Sequence, residues 1–189
     1  MCLWAGWKQG ILIRENKAQK GCHHMIDRTI VCFHNPNEIN GYLSNWYKSN
    51  FIYKGVFFTS AEQYMMASKA KLFGDYEIAR KIMATNDVRE IKRLGRQVRN
   101  FDETSWVNSR EFIMVDGLTA KFSQDLSLAT KLLSTGNCIL AECAVRDKIW
   151  GIGLSMTDEN RFDTSKWRGM NLLGKCLMTV RGNLCRFYV

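Results

Sequence analysis

The chain of 189 residues lacks several features that would direct its interpretation. It contains one proline, and no Gly/Ser-rich or Pro-rich segment interrupts it, so no linker between domains is visible. No apolar run approaches the roughly 20 residues that a helix needs to cross a bilayer. The first residues do not resemble a signal peptide, because their short apolar pieces are broken by Lys8 and Gln9. We therefore expect one compact domain that makes no membrane contact.

Histidine is scarce, and the common catalytic motifs are missing. The chain has no phosphate-binding loop of the Gly-x-x-x-x-Gly-Lys type, no His-Glu-x-x-His and no Ser-His-Asp order. His23, His24 and His34 all precede the predicted helices, so we expect carboxylates and lysine to carry any acid–base chemistry. Cys22 adjoins His23 and His24, but no second half of a zinc site follows at the usual spacing. We therefore expect neither a metal nor a cofactor.

The seven cysteines form no Cys-x-x-Cys pair. They are scattered, several lie within apolar runs, and their number is odd. This pattern predicts reduced, buried thiols and a cytoplasmic protein.

The chain is basic, with a formal net charge of +9. Much of the excess is local, because residues 89–99 contain five basic side chains and one acidic side chain. This run is either a solvent-exposed helix face or a patch that faces phosphates. The charge favours an anionic nucleotide or nucleic acid as partner, and it does not indicate an oligomeric state.

Periodicity and capping residues predict a mainly α fold, that is, an α+β domain with few short strands. The predicted helices span 60–73, 75–84, 87–95, 105–121, 125–134 and 171–184, with strands at 29–34 and 138–142 and a hairpin within 51–58. No alternation typical of a parallel βαβ sheet is present. Residues 1–27 show no period, so we interpret them as a poorly ordered or peripheral extension of a domain that covers 28–189.

The first predicted helix carries the most unusual pattern. Ser60 is a candidate N-cap, and Glu62 or Gln63 can complete a capping box. Glu62 and Lys69 share one helical stripe with apolar side chains. Charges on such a stripe are costly unless they pair or line a cleft. Glu62 is therefore either a capping carboxylate or a functional carboxyl group, and Lys69 is either a surface lysine or a functional acid–base group.

A second group of candidates lies near the C-terminal end. Glu142 ends an apolar strand, where it can face solvent or a site, and Asp147 can cap a turn or contribute a carboxylate. Trp150 precedes Gly151 in a glycine-rich loop, where a tryptophan can stack on a nucleobase. Trp106 offers a similar surface from a helix, although tryptophans are more often core residues.

Many short motifs occur in an order and spacing that resemble the NADAR family, also called YbiA-like. The resemblance extends from about residue 29 to residue 184. Its motifs are Ser44-Asn45-Trp46, Ser60-Ala61-Glu62-Gln63-Tyr64, Lys69-Ala70, Gly95-Arg96, Trp106, Ala120-Lys121-Phe122, Leu132-Leu133, Thr135-Gly136, Glu142, Asp147-x-x-Trp150-Gly151, Asn171-x-x-Gly174 and Leu177-Met178.

The resemblance implies a compact, multihelical fold and hydrolysis of an N-glycosidic bond. It implies two substrate classes: ADP-ribose attached to guanine, which the basic charge favours, and ribosylamino-pyrimidine phosphates of riboflavin synthesis. A non-catalytic module that binds ADP-ribose or nucleic acid is a further alternative. The chain departs from the riboflavin-type members in its N-terminal extension and in a longer segment at 154–166. Following the family pattern, we assign catalysis to Glu62, Lys69 and Asp147, and substrate binding to Asn45, Arg96, Trp106, Glu142, Trp150, Gly151 and Asn171.

Cleavage of an N-glycosidic bond passes through a state that resembles an oxocarbenium ion. Glu62 can be the carboxylate that stabilises this charge or activates water. Lys69 can protonate the leaving nitrogen if burial depresses its pKa, or its neutral amine can attack the sugar and form an imine. Arg93, Arg96 and Arg99 are candidates for phosphate contacts.

Overall fold

The computed structural model describes residues 29–188, which form six α-helices and four short strands, and this confirms the predicted mainly α fold. The expected extension at 1–27, including the Cys22-His23-His24 group, lies outside the described residues, so the division into two segments stays a prediction. The elements are β1 Ile30–Phe33, β2 Phe51–Tyr53, β3 Val56–Phe58, α1 Ala61–Leu72, α2 Tyr76–Met83, α3 Val88–Gly95, α4 Glu103–Ser123, α5 Leu126–Leu133, β4 Ile139–Glu142 and α6 Leu172–Tyr188.

Side-chain caps explain where most of the helices begin. In five of them an N-cap oxygen accepts a hydrogen bond from a backbone N–H two or three residues further on. The caps are Ser60, Asp75, Asp87, Asp102 and Asp125. The prediction for the fourth helix began at residue 105, because it did not use the Asp102 cap.

Helix α1 is the centre of the domain. Residues 61–67 are all buried, and α2, α3, α4 and the β2–β3 hairpin pack around the helix. Two glycines allow the close approach, because a Cβ atom at Gly117 would lie 2.3 Å from the Tyr64 ring and one at Gly95 would lie 2.1 Å from Met66 Sδ. A helix enclosed in this way buries every residue of its first two turns, including a charged one.

Strands β1 and β4 pair in parallel, and each residue of Ile30–Phe33 lies opposite one of Ile139–Glu142. Sequence periodicity did not indicate this pairing, because about a hundred residues and five helices separate the two strands. Helix α6 packs against β4 and α4. The two-stranded sheet therefore brings the N-terminal and C-terminal parts of the described chain together.

Two expectations from composition can be compared with the structure. None of the helices within residues 29–188 is both long and apolar enough to span a membrane. The five described cysteines have free thiols. Cys32, Cys143 and Cys176 are buried as predicted, whereas Cys138 is half-buried and Cys185 is exposed.

A buried lysine supports the turn that precedes the β2–β3 hairpin. Lys121 on α4 has no solvent exposure, and its Nζ donates to the carbonyl oxygens of Tyr42 at 2.7 Å and Ser44 at 3.1 Å. The aromatic rings of Tyr47 and Phe122 lie within 5.4 Å of the same nitrogen. Burial lowers the pKa of Lys121 to about 7. This side chain fixes the segment that leads into Asn45.

Replacing Lys121 should destabilise the fold to an extent that depends on pH. Lys121→Met leaves two buried carbonyls without a donor, so we expect a loss of about 1–3 kcal/mol in the free energy of unfolding at pH 9. The loss should be smaller at pH 7. The unfolded protein binds more protons than the folded one between the folded pKa near 7 and the unfolded value of 10.5, so wild-type stability rises with pH in this window.

Urea unfolding at pH 7 and pH 9 measures both values, with the exposed Lys71→Met as control. Equal losses at the two pH values would contradict a depressed pKa for Lys121.

Candidate active site

Glu62 and Gln63, the two polar residues in the first turn of α1, have different roles. Ser60 Oγ accepts from the backbone N–H of Gln63 at 3.1 Å, and Gln63 Oε1 accepts from the backbone N–H of Thr59 at 2.8 Å. Gln63 therefore closes this helix end in the manner of a capping box, with its side chain bonded to the residue before the N-cap Ser60. Glu62 is not needed for the cap, and it is only 2% exposed.

Glu62 lies among charged groups from three other parts of the chain. The pKa of its carboxyl is raised to about 7, chiefly because burial removes water from the ionised form. The carboxylates of Asp147 and Glu142 add to this rise. The ammonium of Lys92 and a hydrogen bond from the Trp46 side chain oppose it. We call these five residues the acidic cluster.

Two buried oxygens at this place have no hydrogen-bond partner. Glu62 Oε1 and Asn45 Oδ1 are two of only three such buried side-chain atoms within residues 29–188. The residues are linked through the backbone, because Glu62 N–H donates to the Asn45 carbonyl at 3.0 Å. Unpartnered buried polar atoms are costly, and a ligand that hydrogen-bonds to them removes that cost.

Strand β4 delivers Glu142 to the cluster. Its backbone N–H donates to Asn171 Oδ1 at 3.1 Å, while Asn171 Nδ2 donates to the Leu140 carbonyl at 2.8 Å. Asn171, predicted to bind substrate, therefore uses its amide to hold the end of β4. The side chain of Glu142 accepts a hydrogen bond from His34 Nδ1 at a distance of 3.1 Å.

The loop after β4 positions Asp147. Its Oδ1 accepts from the backbone N–H groups of Ile149 and Trp150, which is the turn-capping role predicted as one alternative. Its Oδ2 lies 3.9 Å from Lys92 Nζ, so the same carboxylate also belongs to the acidic cluster. Gly151 is required here, because a Cβ atom would lie 2.9 Å from the carbonyl oxygens of Asp147 and Glu142.

Lys92 and Trp46 lie in the candidate site, although the assignment from sequence did not include them. Lys92 Nζ lies 5.6 Å from the centre of the Trp46 ring and close to Asp147. In the sequence, Lys92 is one of five basic residues between positions 89 and 99. Only its helical spacing from Arg89 and Arg96 indicates that these three side chains share one side of α3. Trp46 was visible in the Ser-Asn-Trp motif, but nothing in the sequence connected it with Glu62.

Lys69 occupies a different environment from Glu62. Its Nζ donates to the Gly95 carbonyl at 3.0 Å and lies 4.4 Å from the Phe101 ring centre and 5.6 Å from that of Trp106. Burial lowers its pKa. Glu62 and Lys69 share a helical stripe but do not pair, since Met66 lies between them on α1 and packs against Gly95.

The other residues predicted to bind substrate or phosphate are two tryptophans and three arginines. Trp106 is buried beside Lys69, and Trp150 is half-buried against the core. Arg96 is exposed at the end of α3. Arg93 is bound to Glu90 through two hydrogen bonds, and Arg99 is bound to acidic residues of the α2 N-terminus. Among the predicted phosphate contacts, Arg96 therefore has the freest side chain in the described structure.

The histidine–cysteine group proposed and rejected as a metal site lies outside residues 29–188. Within those residues no group of three or more His, Cys, Asp or Glu side chains has the arrangement of a metal site. The acidic cluster consists of three carboxyl groups, one ammonium and one indole, and the His34 imidazole is bonded to one of the carboxyl groups. This set can transfer protons and stabilise positive charge.

The raised pKa of Glu62 leads to a prediction about stability. The folded protein binds more protons than the unfolded one between the ordinary value of 4.5 and about 7, so wild-type stability falls as pH rises through this window. Glu62→Gln removes this penalty. We expect the variant to match the wild type near pH 4.5 and to exceed it by about 2–3 kcal/mol at pH 8.

Thermal or urea unfolding across this pH range measures the difference. The exposed Glu111→Gln is the matched control and should show no such divergence. A Glu62→Gln curve parallel to that of the wild type would show that the carboxyl is not desolvated.

Comparisons with known proteins agree with the resemblance to the NADAR family that the sequence motifs indicate. The model of the NADAR domain matches residues 32–185. N-glycosidase R617 of Acanthamoeba polyphaga mimivirus is 45% identical over 159 residues, which cover 80% of this chain and 94% of that protein. The riboflavin biosynthesis protein VVA0006 of Vibrio vulnificus is 30% identical over 154 residues, covering 82% of this chain but 38% of its own length.

A solved structure gives the same result for the fold. The NMR structure of the E. coli protein YbiA superimposes with a TM-score of 0.71 and 27% sequence identity, covering 87% of this chain and 90% of that one. The expected YbiA-like architecture is thereby confirmed. Since the family model spans most of the sequence and the viral relative shares nearly half of the aligned residues, this chain belongs to the NADAR family.

Proposed function

We propose that the protein is an N-glycosyl hydrolase that breaks the bond between C1 of a ribose and a nitrogen of a base. The observation that carries the proposal is the buried Glu62 carboxyl, whose Oε1 has no partner among the described residues and whose pKa is raised to about 7. Such a group can hold a proton at neutral pH and give it to a leaving nitrogen. The name of the mimiviral relative, an N-glycosidase, supports the same reaction.

The second requirement is negative charge near the anomeric carbon. Asp147 and Glu142 provide it, and both act on Glu62 through their charges. The Asp147 side chain is 31% exposed and that of Glu142 is 11% exposed. Asp147 is therefore the carboxylate that water reaches more easily, and we assign it the activation of the attacking water.

The third requirement is a site for an anionic, aromatic substrate. The Trp46 ring lies beside Lys92, so a base stacked on the indole would bring its phosphates near a cation. Arg89 is exposed on α3 and Arg96 is exposed at its C-cap, and both extend the positive charge. We assign phosphate binding to these three cations and base recognition to Trp46 and Asn45.

The substrate that we propose is ADP-ribose attached to guanine in nucleic acid or nucleotides. The net charge of +9 suits a polyanion. The alternative is a ribosylamino-pyrimidine phosphate of riboflavin synthesis, which the name of the Vibrio relative favours. Both substrates contain an N-glycosidic bond and phosphate, so the same acidic cluster serves either reaction.

Glu62→Gln tests the reaction. The variant keeps the shape of the side chain but cannot donate the proton, so we expect kcat to fall by about 10²–10⁴-fold. The purified protein is incubated separately with an ADP-ribosylated guanosine oligonucleotide and with the ribosylamino-pyrimidine phosphate. Chromatography then measures the released unmodified guanosine oligonucleotide or free pyrimidine. Release from one substrate alone identifies the substrate class.

The control is Glu111→Gln, which changes an exposed glutamate on α4 and should remain fully active. A fully active Glu62→Gln protein would rule out the role assigned to this carboxyl. If the wild type released nothing from either substrate but bound nucleic acid with strong salt dependence, the binding-module alternative would be supported instead.

Lys69 has two possible roles, proton donation and imine formation, and a chemical trapping experiment distinguishes them. Burial lowers its pKa, which favours both proton donation and attack by the neutral amine. If the amine forms an imine with the opened sugar, sodium borohydride added during turnover should leave a stable adduct on the peptide that contains Lys69. Mass spectrometry locates the adduct.

Lys69→Met should abolish the adduct, while Lys71→Met, an exposed change on the same helix, should not. An adduct on Lys92 would transfer the nucleophilic role to the acidic cluster. Absence of any adduct, together with slow turnover by Lys69→Met, would leave proton donation as its role.

A further inference from the structure

The parallel pairing of β1 with β4 places a histidine beside the acidic cluster. Phe33 lies opposite Glu142, and the Phe33 carbonyl accepts from the Cys143 backbone N–H at 2.8 Å. His34 follows immediately, so its ring comes to lie against the Glu142 carboxylate although the two residues are 108 positions apart. The Nδ1–Oε1 distance of 3.1 Å is that of a hydrogen bond.

The two partners differ in their access to water. The His34 side chain is 50% exposed, whereas that of Glu142 is 11% exposed. Asn171 Oδ1 accepts a hydrogen bond from the Glu142 backbone N–H and so holds the backbone in place. The imidazole is therefore a solvent-facing group that is hydrogen-bonded to a buried carboxylate whose backbone is fixed.

The charges around this pair determine what the histidine can do. His34 is faced by the carboxylates of Glu142 and Glu38 and by the ammonium of Lys92. Glu142 is additionally faced by Asp147. Glu142 also faces Glu62, whose raised pKa of about 7 keeps it largely protonated at weakly acidic pH. With Glu62 neutral and His34 protonated, the imidazolium and Lys92 balance Glu142 and Asp147. Without that proton, one ammonium remains for two carboxylates.

We propose that His34 is a positioning residue that keeps Glu142 ionised and oriented within the acidic cluster, and thereby sets the acidic limb of the pH–rate profile. The inference rests on the proposed function, because it assumes that the reaction needs the Glu142 carboxylate. No histidine role was expected from the sequence, since His34 lies outside every helix.

The electrostatic effects of the pair agree with this role. Burial raises the pKa of Glu142, and the hydrogen bond and charge of His34 oppose that rise. In turn, the hydrogen bond to Glu142 raises the pKa of His34. Loss of the imidazolium therefore raises the pKa of Glu142, so a smaller fraction of this group is ionised at weakly acidic pH.

The activity test compares kcat/KM between pH 5 and pH 9 for the wild type, His34→Gln and His34→Arg. We expect His34→Gln to move the midpoint of the acidic limb upward by about one pH unit, because a neutral amide replaces a cation. His34→Arg keeps a positive charge and should restore the limb towards its wild-type position. Glu111→Gln, an exposed change on α4 that does not face His34 or Glu142, is the control and should leave the limb in place.

A second measurement does not depend on turnover. NMR titration of labelled imidazoles, with His34 identified by its absence from His34→Gln, should give a His34 pKa above 6.5 in the wild type and a lower one in Glu142→Gln. If neither substrate is turned over but the His34 pKa is lower in Glu142→Gln than in the wild type, the proposed function is wrong and the His34–Glu142 interaction is confirmed. An unchanged His34 pKa in Glu142→Gln, or identical acidic limbs for the wild type and His34→Gln, would overturn the inference.

Discussion

The burial of one carboxyl group at the start of the central helix is the constraint on which the site depends. Gln63 and Ser60 complete the cap of α1, so Glu62 is left to face the interior beside Asn45. Removing a carboxylate from water is costly, and the protein meets part of this cost by retaining a proton on Glu62 near neutral pH. A group in this state is poorly suited to stabilising the fold and well suited to donating a proton.

The opposite wall of the site depends on contacts between distant parts of the chain. Strand β4 pairs with β1, and the amide of Asn171 fixes the end of β4 through two hydrogen bonds. In the loop after β4, Gly151 packs closely against the carbonyl oxygens of Glu142 and Asp147. This close packing folds the loop back, so that Asp147 reaches Lys92 on α3. The carboxylates therefore have fixed backbones, which is what preorganised electrostatic stabilisation requires.

The two lysines illustrate how similar residues acquire different environments. Lys92 lies among the carboxylates, where its charge favours their ionised forms. Lys69 lies between a carbonyl oxygen and two aromatic rings, where burial favours its neutral form. The basic run on α3 is likewise divided, because Arg93 is bound to Glu90 whereas Lys92 turns towards the site. Net charge alone made no such distinction.

The sequence by itself determined the helices, most of their caps and the family, because capping and periodicity act over three or four residues and the motifs occur in a fixed order. It also singled out Glu62 and Asp147. Only the tertiary structure decided that Lys69 does not pair with Glu62, that Lys92 and Trp46 do approach it, and that His34 bonds to Glu142. These contacts join residues up to 108 positions apart, and the packing of α3 on α1 and the pairing of β1 with β4 create them. Local pattern carries no information about such packing.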